Sequence, residues 1–353
     1  MADIVKDATE YRIKQIEIAE AQYYKTLEGK EVQCLLCPHK CLVSKGERGE
    51  CGVRENRDGS YYTLNYGRPC ALHVDPVEKK PLFHVFPGSR VFSLATAGCN
   101  LSCLFCQNWQ ISQALPEEVE YEKRTPDDIV QMAIELDCHL IAYTYSEPTI
   151  FFEYMLAIAK KAHDKGIINT CHSNGFINPE PLSELSKFIN AANIDLKGFT
   201  DKYYSEMCGG ELQPVLRSLK QMKKNKIHIE LTNLVVPSKN DDMDNIKKMS
   251  KWIKNELGPN VPLHFSRFYP RYKLRNLPPT PVKTLERARK IAMEEGLHFV
   301  YIGNLQPGHA AENTYCPNCQ KLIIERRGYT VKKIELKGGK CSNCGQSISG
   351  IWD

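Results

Sequence analysis

Cysteine spacing constrains this chain more than any other feature. Fifteen cysteines occur in 353 residues, and eleven of them fall into three tight clusters. The N-terminal stretch is charged and has no apolar signal core, so a cytoplasmic protein is expected. In a reducing compartment a disulfide framework is disfavoured, and clustered thiols point to metal instead. Cys70, Cys138, Cys171 and Cys208 stand apart from the clusters and read as small buried residues.

Two clusters carry four thiols each. Cys34, Cys37, Cys41 and Cys51 follow the spacing C-x2-C-x3-C-x9-C. Four thiolates suit zinc, and the same four suit a [4Fe–4S] cluster. Cys316, Cys319, Cys341 and Cys344 form two C-x2-C knuckles. That pattern is shared by zinc ribbons and by rubredoxin-like iron sites, so zinc and iron both remain open there. The central cluster is different. Cys99, Cys103 and Cys106 follow C-x3-C-x2-C on one short segment, with no fourth cysteine within reach. A closed zinc site wants four ligands. Three thiolates instead suit a [4Fe–4S] cluster that leaves one iron open to a further ligand.

The segment around the central cluster alternates strand and helix patterns. Strands are expected over Val91–Ala95, Leu140–Tyr145, Ile168–Ser173, Ala192–Leu196, His228–Val235, Leu263–Phe268 and His298–Ile302. Helices are expected over Ile150–Lys165, Pro179–Ile189, Gln213–Lys224, Asp241–Leu257 and Thr280–Glu295, with a further N-terminal helix over Tyr11–Leu27. Such alternation implies an α/β fold with a parallel sheet, as a partial or full (β/α) barrel. Three parts follow: 1–88 as an N-terminal helix and four-Cys module, 89–312 as the barrel, and 313–353 as the four-Cys tail. The candidate site residues fall where strands end, the place such folds put their chemistry.

With the strand before it and an aromatic Phe105 ahead of the third cysteine, the central motif resembles the radical SAM superfamily. The resemblance implies a [4Fe–4S] cluster on Cys99, Cys103 and Cys106 that binds and reductively cleaves S-adenosylmethionine (SAM). Phe105 would then lie against the adenine. Tyr143-Thr144-Tyr145-Ser146-Glu147-Pro148 is similar to the superfamily's Gly-Gly-Glu-Pro segment, with Tyr-Ser in place of the glycines; Glu147 would receive the SAM amino group. Ser173-Asn174-Gly175, Asp195-Leu196-Lys197-Gly198 and Leu263-His264-Phe265 resemble segments of the pyruvate formate-lyase activating enzyme. By that resemblance Asn174 touches the methionine part or ribose, Asp195 lies near SAM and substrate, and His264 approaches the ribose or adenine. More narrowly, Cys34-Leu35-Leu36-Cys37-Pro38-His39-Lys40-Cys41, Asp75-Pro76-Val77-Glu78-Lys79-Lys80-Pro81-Leu82, Phe105-Cys106-Gln107-Asn108-Trp109 and Tyr301-Ile302-Gly303-Asn304 resemble the AmmeMemoRadiSam-system radical SAM enzymes.

Function classes can be sorted on this basis. The formal charge of +5 is spread along the chain, without a dense basic block, so no nucleic-acid footprint stands out. Lys220, Lys223, Lys224 and Lys226 read as the solvated end of a helix. No apolar run is long enough to span a membrane. The leading expectation is a radical SAM oxidoreductase acting on a small molecule or a protein, fed by a one-electron donor such as ferredoxin or flavodoxin. An activating enzyme that places a glycyl radical on a partner is one alternative; a zinc-binding interaction module without redox activity is another.

Overall fold

A computed structural model describes residues 18–352. Contacts divide the chain into two compact units. The first runs to Val74 and takes in Phe92–Ser102 and Asn108–Ile189; the second comprises Asp75–Val91, Cys103–Gln107 and the chain from Asn190 onward.

The first unit opens with six short strands: β1 (Ala19–Glu20), β2 (Tyr24–Thr26), β3 (Val32–Cys34), β4 (Leu42–Val43), β5 (Arg54–Arg57) and β6 (Ser60–Thr63). They form two antiparallel sheets, β2-β3-β4 and β1-β6-β5. The helix expected over Tyr11–Leu27 lies in part outside the described residues, and the rest of it is β1 and β2. Tyr24 pairs with Cys34 and Thr26 with Val32, so ladder partners elsewhere in the chain override a local helical stripe.

Next come β7 (Ala71–Pro76), β8 (Arg90–Ala95), α1 (Pro126–Glu135), β9 (Leu140–Tyr143), α2 (Phe152–Asp164), β10 (Ile168–Ser173) and α3 (Pro179–Leu185). In this part the strand order is β7-β8-β9-β10. β9 and β10 run parallel, with Leu140 opposite Ile168 and Tyr143 opposite Cys171. Every position of β9 is buried, as in a parallel strand covered on both faces. α2 buries Tyr154, Met155, Ile158 and Ala159. α1 is an addition to the predicted elements.

The second unit repeats the alternation with β11 (Ala191–Asp195), α4 (Leu212–Lys224), β12 (His228–Val235), α5 (Met243–Trp252), β13 (Leu263–Arg267), α6 (Val282–Glu294) and β14 (Val300–Gly303). The four strands lie in chain order and each adjacent pair is parallel. The fold is therefore α/β with mostly parallel strands. The lysines at the end of α4 are exposed. After β14 come β15 (Thr314–Tyr315), β16 (Leu322–Arg327), β17 (Thr330–Ile334), β18 (Leu336–Lys337) and β19 (Lys340–Cys341), all antiparallel. A tail this short cannot fill a core alone. Its Ile323, Ile324 and Ile348 join Phe83, Phe299 and Tyr301 in one buried cluster.

Candidate active site

Cys99 follows β8 in the first unit. Gly98, with φ +96°, packs so tightly that a Cβ there would stand 2.5 Å from Val53 Cγ1 and 3.0 Å from the Cys51 carbonyl oxygen. Only glycine meets both demands. The Leu101 amide donates to the Cys99 sulfur at 3.4 Å, and Asn174 Nδ2 lies 3.9 Å from it. Asn174 also donates to Asn100 Oδ1 at 2.8 Å, and Asn100 in turn to the Phe176 carbonyl at 2.7 Å. The turn after β10 is thereby tied to the turn after β8.

Glu147 sits at the end of β9 and is 2% exposed. Its Oε1 accepts from the Thr149 amide at 2.9 Å and the Ser173 hydroxyl at 2.7 Å; its Oε2 accepts from the Asn174 amide at 2.8 Å. The two residues that replace glycines before it have distinct solutions. Tyr145 adopts φ +66°, the left-handed conformation that glycine enters at no steric cost. Its carbonyl accepts from Asn108 Nδ2 at 2.8 Å. Ser146 donates its hydroxyl to the Thr96 carbonyl at 2.7 Å.

In the second unit, Cys103 is buried beside Cys208, Asp195 and Lys197. The Cys208 thiol donates to Cys103 and, more than the Lys197 ammonium, holds the Cys103 thiol below its usual range. Cys208 is therefore not the isolated core cysteine that its sequence position suggests, and a fourth cysteine does stand within reach of the C-x3-C-x2-C motif. A π-helical turn over Tyr204–Cys208 delivers it, and the Leu104 amide donates to the Met207 carbonyl at 3.0 Å. Burial works against the charge on Lys197, but Asp195, 2.9 Å away, keeps it protonated well above the usual range. Phe105 is buried, with its ring 6.1 Å from that of Tyr203. Just after Lys197 in the chain, Gly198 and Thr200 line a small cleft with Tyr203, Asn233 and Asn240 among others.

His264 is also buried, in β13. Its Nε2 donates to Glu230 Oε2 at 2.7 Å, and its ring stacks on Tyr301 and meets Phe83 edge-on. Glu230 further accepts from the His84 amide at 2.7 Å. Burial alone would raise the Glu230 carboxyl, but His228 and His264 hold it well below the carboxylate range.

The cysteines of the two four-thiol clusters differ in spacing. The sulfurs of Cys316, Cys319, Cys341 and Cys344 all lie within 4.8 Å of one another. The Lys321 amide, above other causes, holds the Cys319 thiol down at about 6, which favours the thiolate a metal needs. Among the described residues no other three such ligand atoms gather this closely. Cys34, Cys41 and Cys51 stand within electrostatic reach of Cys37.

With this geometry in place, likeness to known proteins becomes informative. An uncharacterized protein of Methanocaldococcus jannaschii is 48% identical over 331 residues, covering 93% of this chain and 98% of that one. The profile of the radical SAM superfamily matches residues 93–252. The chain belongs to the radical SAM superfamily. A pyruvate formate-lyase-activating enzyme of Staphylococcus epidermidis is 23% identical over 185 residues, 48% of this chain and 70% of that one. The crystal structure of Streptococcus suis SuiB bound to S-adenosylmethionine shares the fold, with TM-score 0.50, 13% identity, and coverage of 68% of this chain and 56% of that one. Among the described residues no helix is long and apolar enough to cross a membrane.

Radical SAM membership implies a [4Fe–4S] cluster and SAM, and the residues present fit them. Three thiols on one loop suit a cluster with an open iron. The Cys99 sulfur already has amide donors directed at it, and the Cys103 thiol is held toward its charged form.

Proposed function

We propose that this protein cleaves SAM reductively at a [4Fe–4S] cluster held by Cys99, Cys103 and Cys106, releasing methionine and a 5′-deoxyadenosyl radical that takes hydrogen from a substrate. The buried Glu147 carboxylate carries this reading. A carboxylate offers about four acceptor positions, and three of those on Glu147 are filled by Thr149, Ser173 and Asn174. These donors fix its orientation and leave capacity on Oε2 for the SAM ammonium. Asn174 joins this carboxylate to the Cys99 loop, so both can address one ligand. The family resemblance gives Phe105 to the adenine and Asp195 to the neighbourhood of SAM and substrate; within the second unit Phe105 is buried and Asp195 pairs with Lys197. The protein binds, orients and excludes water, and the bound groups supply the radical chemistry.

The likeness to an enzyme named for activating pyruvate formate-lyase supports a protein-borne glycine as one substrate class. Placement with the AmmeMemoRadiSam-system enzymes rests on the quoted segments and is part of the same proposal. We read the tail as a single-ion site, zinc or rubredoxin-like iron, because metal–sulfur bonds of about 2.3 Å gather four thiolates as tightly as they stand there.

The test is anaerobic reconstitution with iron and sulfide, then dithionite and SAM. Wild-type protein is expected to form 5′-deoxyadenosine, and a Cys99→Ala/Cys103→Ala/Cys106→Ala variant is not. Equal yields from the two would sink the reading.

A further inference from the structure

The N-terminal cysteines lie in the first unit, outside the C-x3-C-x2-C motif. Cys34 ends β3, Cys37 and Cys41 occupy the loop to β4, and Cys51 stands just before β5. The Cys34 amide donates to the Cys41 carbonyl at 2.9 Å, and the Lys40 amide closes a turn on the Cys37 carbonyl at 3.2 Å. The Glu50 amide donates to the Cys41 sulfur at 3.5 Å, and Arg54 Nη1 reaches the Cys34 sulfur at 3.8 Å. Cys34, Cys41 and Cys51 all stand within electrostatic reach of Cys37, so the four thiols are neighbours.

The donors around these thiols separate a zinc ion from an iron–sulfur cluster. Tyr61 and Arg54 are 0% and 1% exposed. Tyr61 Oη and Arg54 Nε have no hydrogen-bond partner. Both residues stand within the electrostatic reach of Cys34 and Cys51. A Cβ on Gly49 would lie 2.9 Å from Tyr61 Oη and 3.5 Å from the Cys41 sulfur, so the hydroxyl and that sulfur face the same small space. The rest of the Arg54 guanidinium is fixed: Nη1 donates to the Gln22 carbonyl at 3.0 Å and Nη2 to the buried Glu153 carboxylate. A buried donor left without an acceptor costs about 1–3 kcal/mol. A zinc tetrathiolate brings no acceptor beyond its four sulfurs. A [4Fe–4S] cluster brings inorganic sulfides that accept hydrogen bonds.

We propose that Cys34, Cys37, Cys41 and Cys51 bind a second [4Fe–4S] cluster, with the Tyr61 hydroxyl and the Arg54 guanidinium donating hydrogen bonds to its sulfur. The site backs onto the loop that carries Cys99. A Cβ on Gly98 would stand 3.0 Å from the Cys51 carbonyl oxygen, and His39 Nε2 donates to the Asn100 carbonyl at 2.7 Å.

The full-length Cys99→Ala/Cys103→Ala/Cys106→Ala variant isolates the site. After anaerobic reconstitution it is expected to keep about four acid-labile sulfides per chain and to give a reduced-cluster signal by electron paramagnetic resonance. A tail ion carries no sulfide, so sulfide reads the N-terminal site alone. Adding Cys34→Ala and Cys37→Ala should bring the sulfide from about four to none. A triple variant without sulfide, carrying zinc instead, overturns the proposal, as does sulfide that survives the added substitutions. Adding Tyr61→Phe, which keeps the ligands and the ring, should leave the sulfide count intact and shift the cluster's reduction potential to a more negative value. An unchanged potential would remove the hydroxyl from the site. Failure of wild-type protein to form 5′-deoxyadenosine, with sulfide retained in the triple variant, would count against the SAM reading and leave this one standing.

Discussion

At the scale of single residues, Glu147 has the most to lose by substitution. Glu147→Ala leaves the Thr149 amide, the Ser173 hydroxyl and the Asn174 amide without their acceptor in a buried setting. Each such loss costs about 1–3 kcal/mol. Glu147→Gln keeps the shape and one oxygen but removes the charge that would hold an ammonium. Reconstituted Glu147→Gln protein is expected to bind SAM at least tenfold more weakly, measured by equilibrium dialysis; unchanged affinity would take the carboxylate out of the SAM site. This residue was legible in the sequence because it heads a recognisable Glu-Pro segment after a strand. The left-handed Tyr145 was not, since tyrosine carries no signal for positive φ. Cys208 was not legible either. It lies far along the chain from Cys103, and only the π-helical turn over Tyr204–Cys208 brings the thiols together.

At the scale of elements, the sequence located the parallel strands well, because fully buried strands read as continuous apolar runs. β10 and β12 match their expected spans, β8, β9, β11, β13 and β14 differ only at their ends, and β7 has no counterpart among the expected strands. Two elements show how local pattern succeeds and fails. β1 and β2 were read as helix because their partners, β6 and β3, cannot be seen from a local window. α1 escaped notice although its start is written out as Thr125-Pro126-Asp127-Asp128. There the Thr125 hydroxyl accepts from the Asp128 amide at 3.2 Å, and Asp128 Oδ2 accepts from the Thr125 amide at 2.8 Å. Thr125→Ala removes half of this box and is expected to lower stability by about 1 kcal/mol in urea unfolding. A change near zero would mean that packing of α1 against α2, not its cap, holds the helix in place.

At the scale of the whole molecule, the second unit is closed by a buried relay that no motif announces. Arg326 Nη1 donates to Thr314 Oγ1 at 2.8 Å, Thr314 shares a 2.9 Å bond with Tyr301 Oη, and Tyr301 Oη meets His84 Nε2 at 2.7 Å. His84 Nδ1 stands 2.6 Å from the Ser349 carbonyl. A carbonyl only accepts, so Nδ1 carries the proton and the ring is neutral with Nε2 accepting. Burial, despite the nearby Glu230, pushes His84 down to about 3. The unfolded chain takes up this proton near pH 6.5 and the folded chain does not. Stability from this group is thus complete above about pH 6.5 and falls by about 1.4 kcal/mol per pH unit as the solution is acidified toward pH 3. Urea midpoints measured from pH 7 to pH 4 should show that slope, and His84→Gln should flatten it from a lower starting stability. The same region sets an order of events during synthesis. His84 and Ser349 are 265 residues apart, and the Phe86 amide also donates to the Ile351 carbonyl at 2.8 Å. At about 5–20 residues per second, a ribosome needs roughly 13–53 s to deliver the second partner after the first. For that interval Phe83 and His84 lack the surface that later buries them, so a nascent chain of this protein is a natural client for chaperones that shield apolar segments.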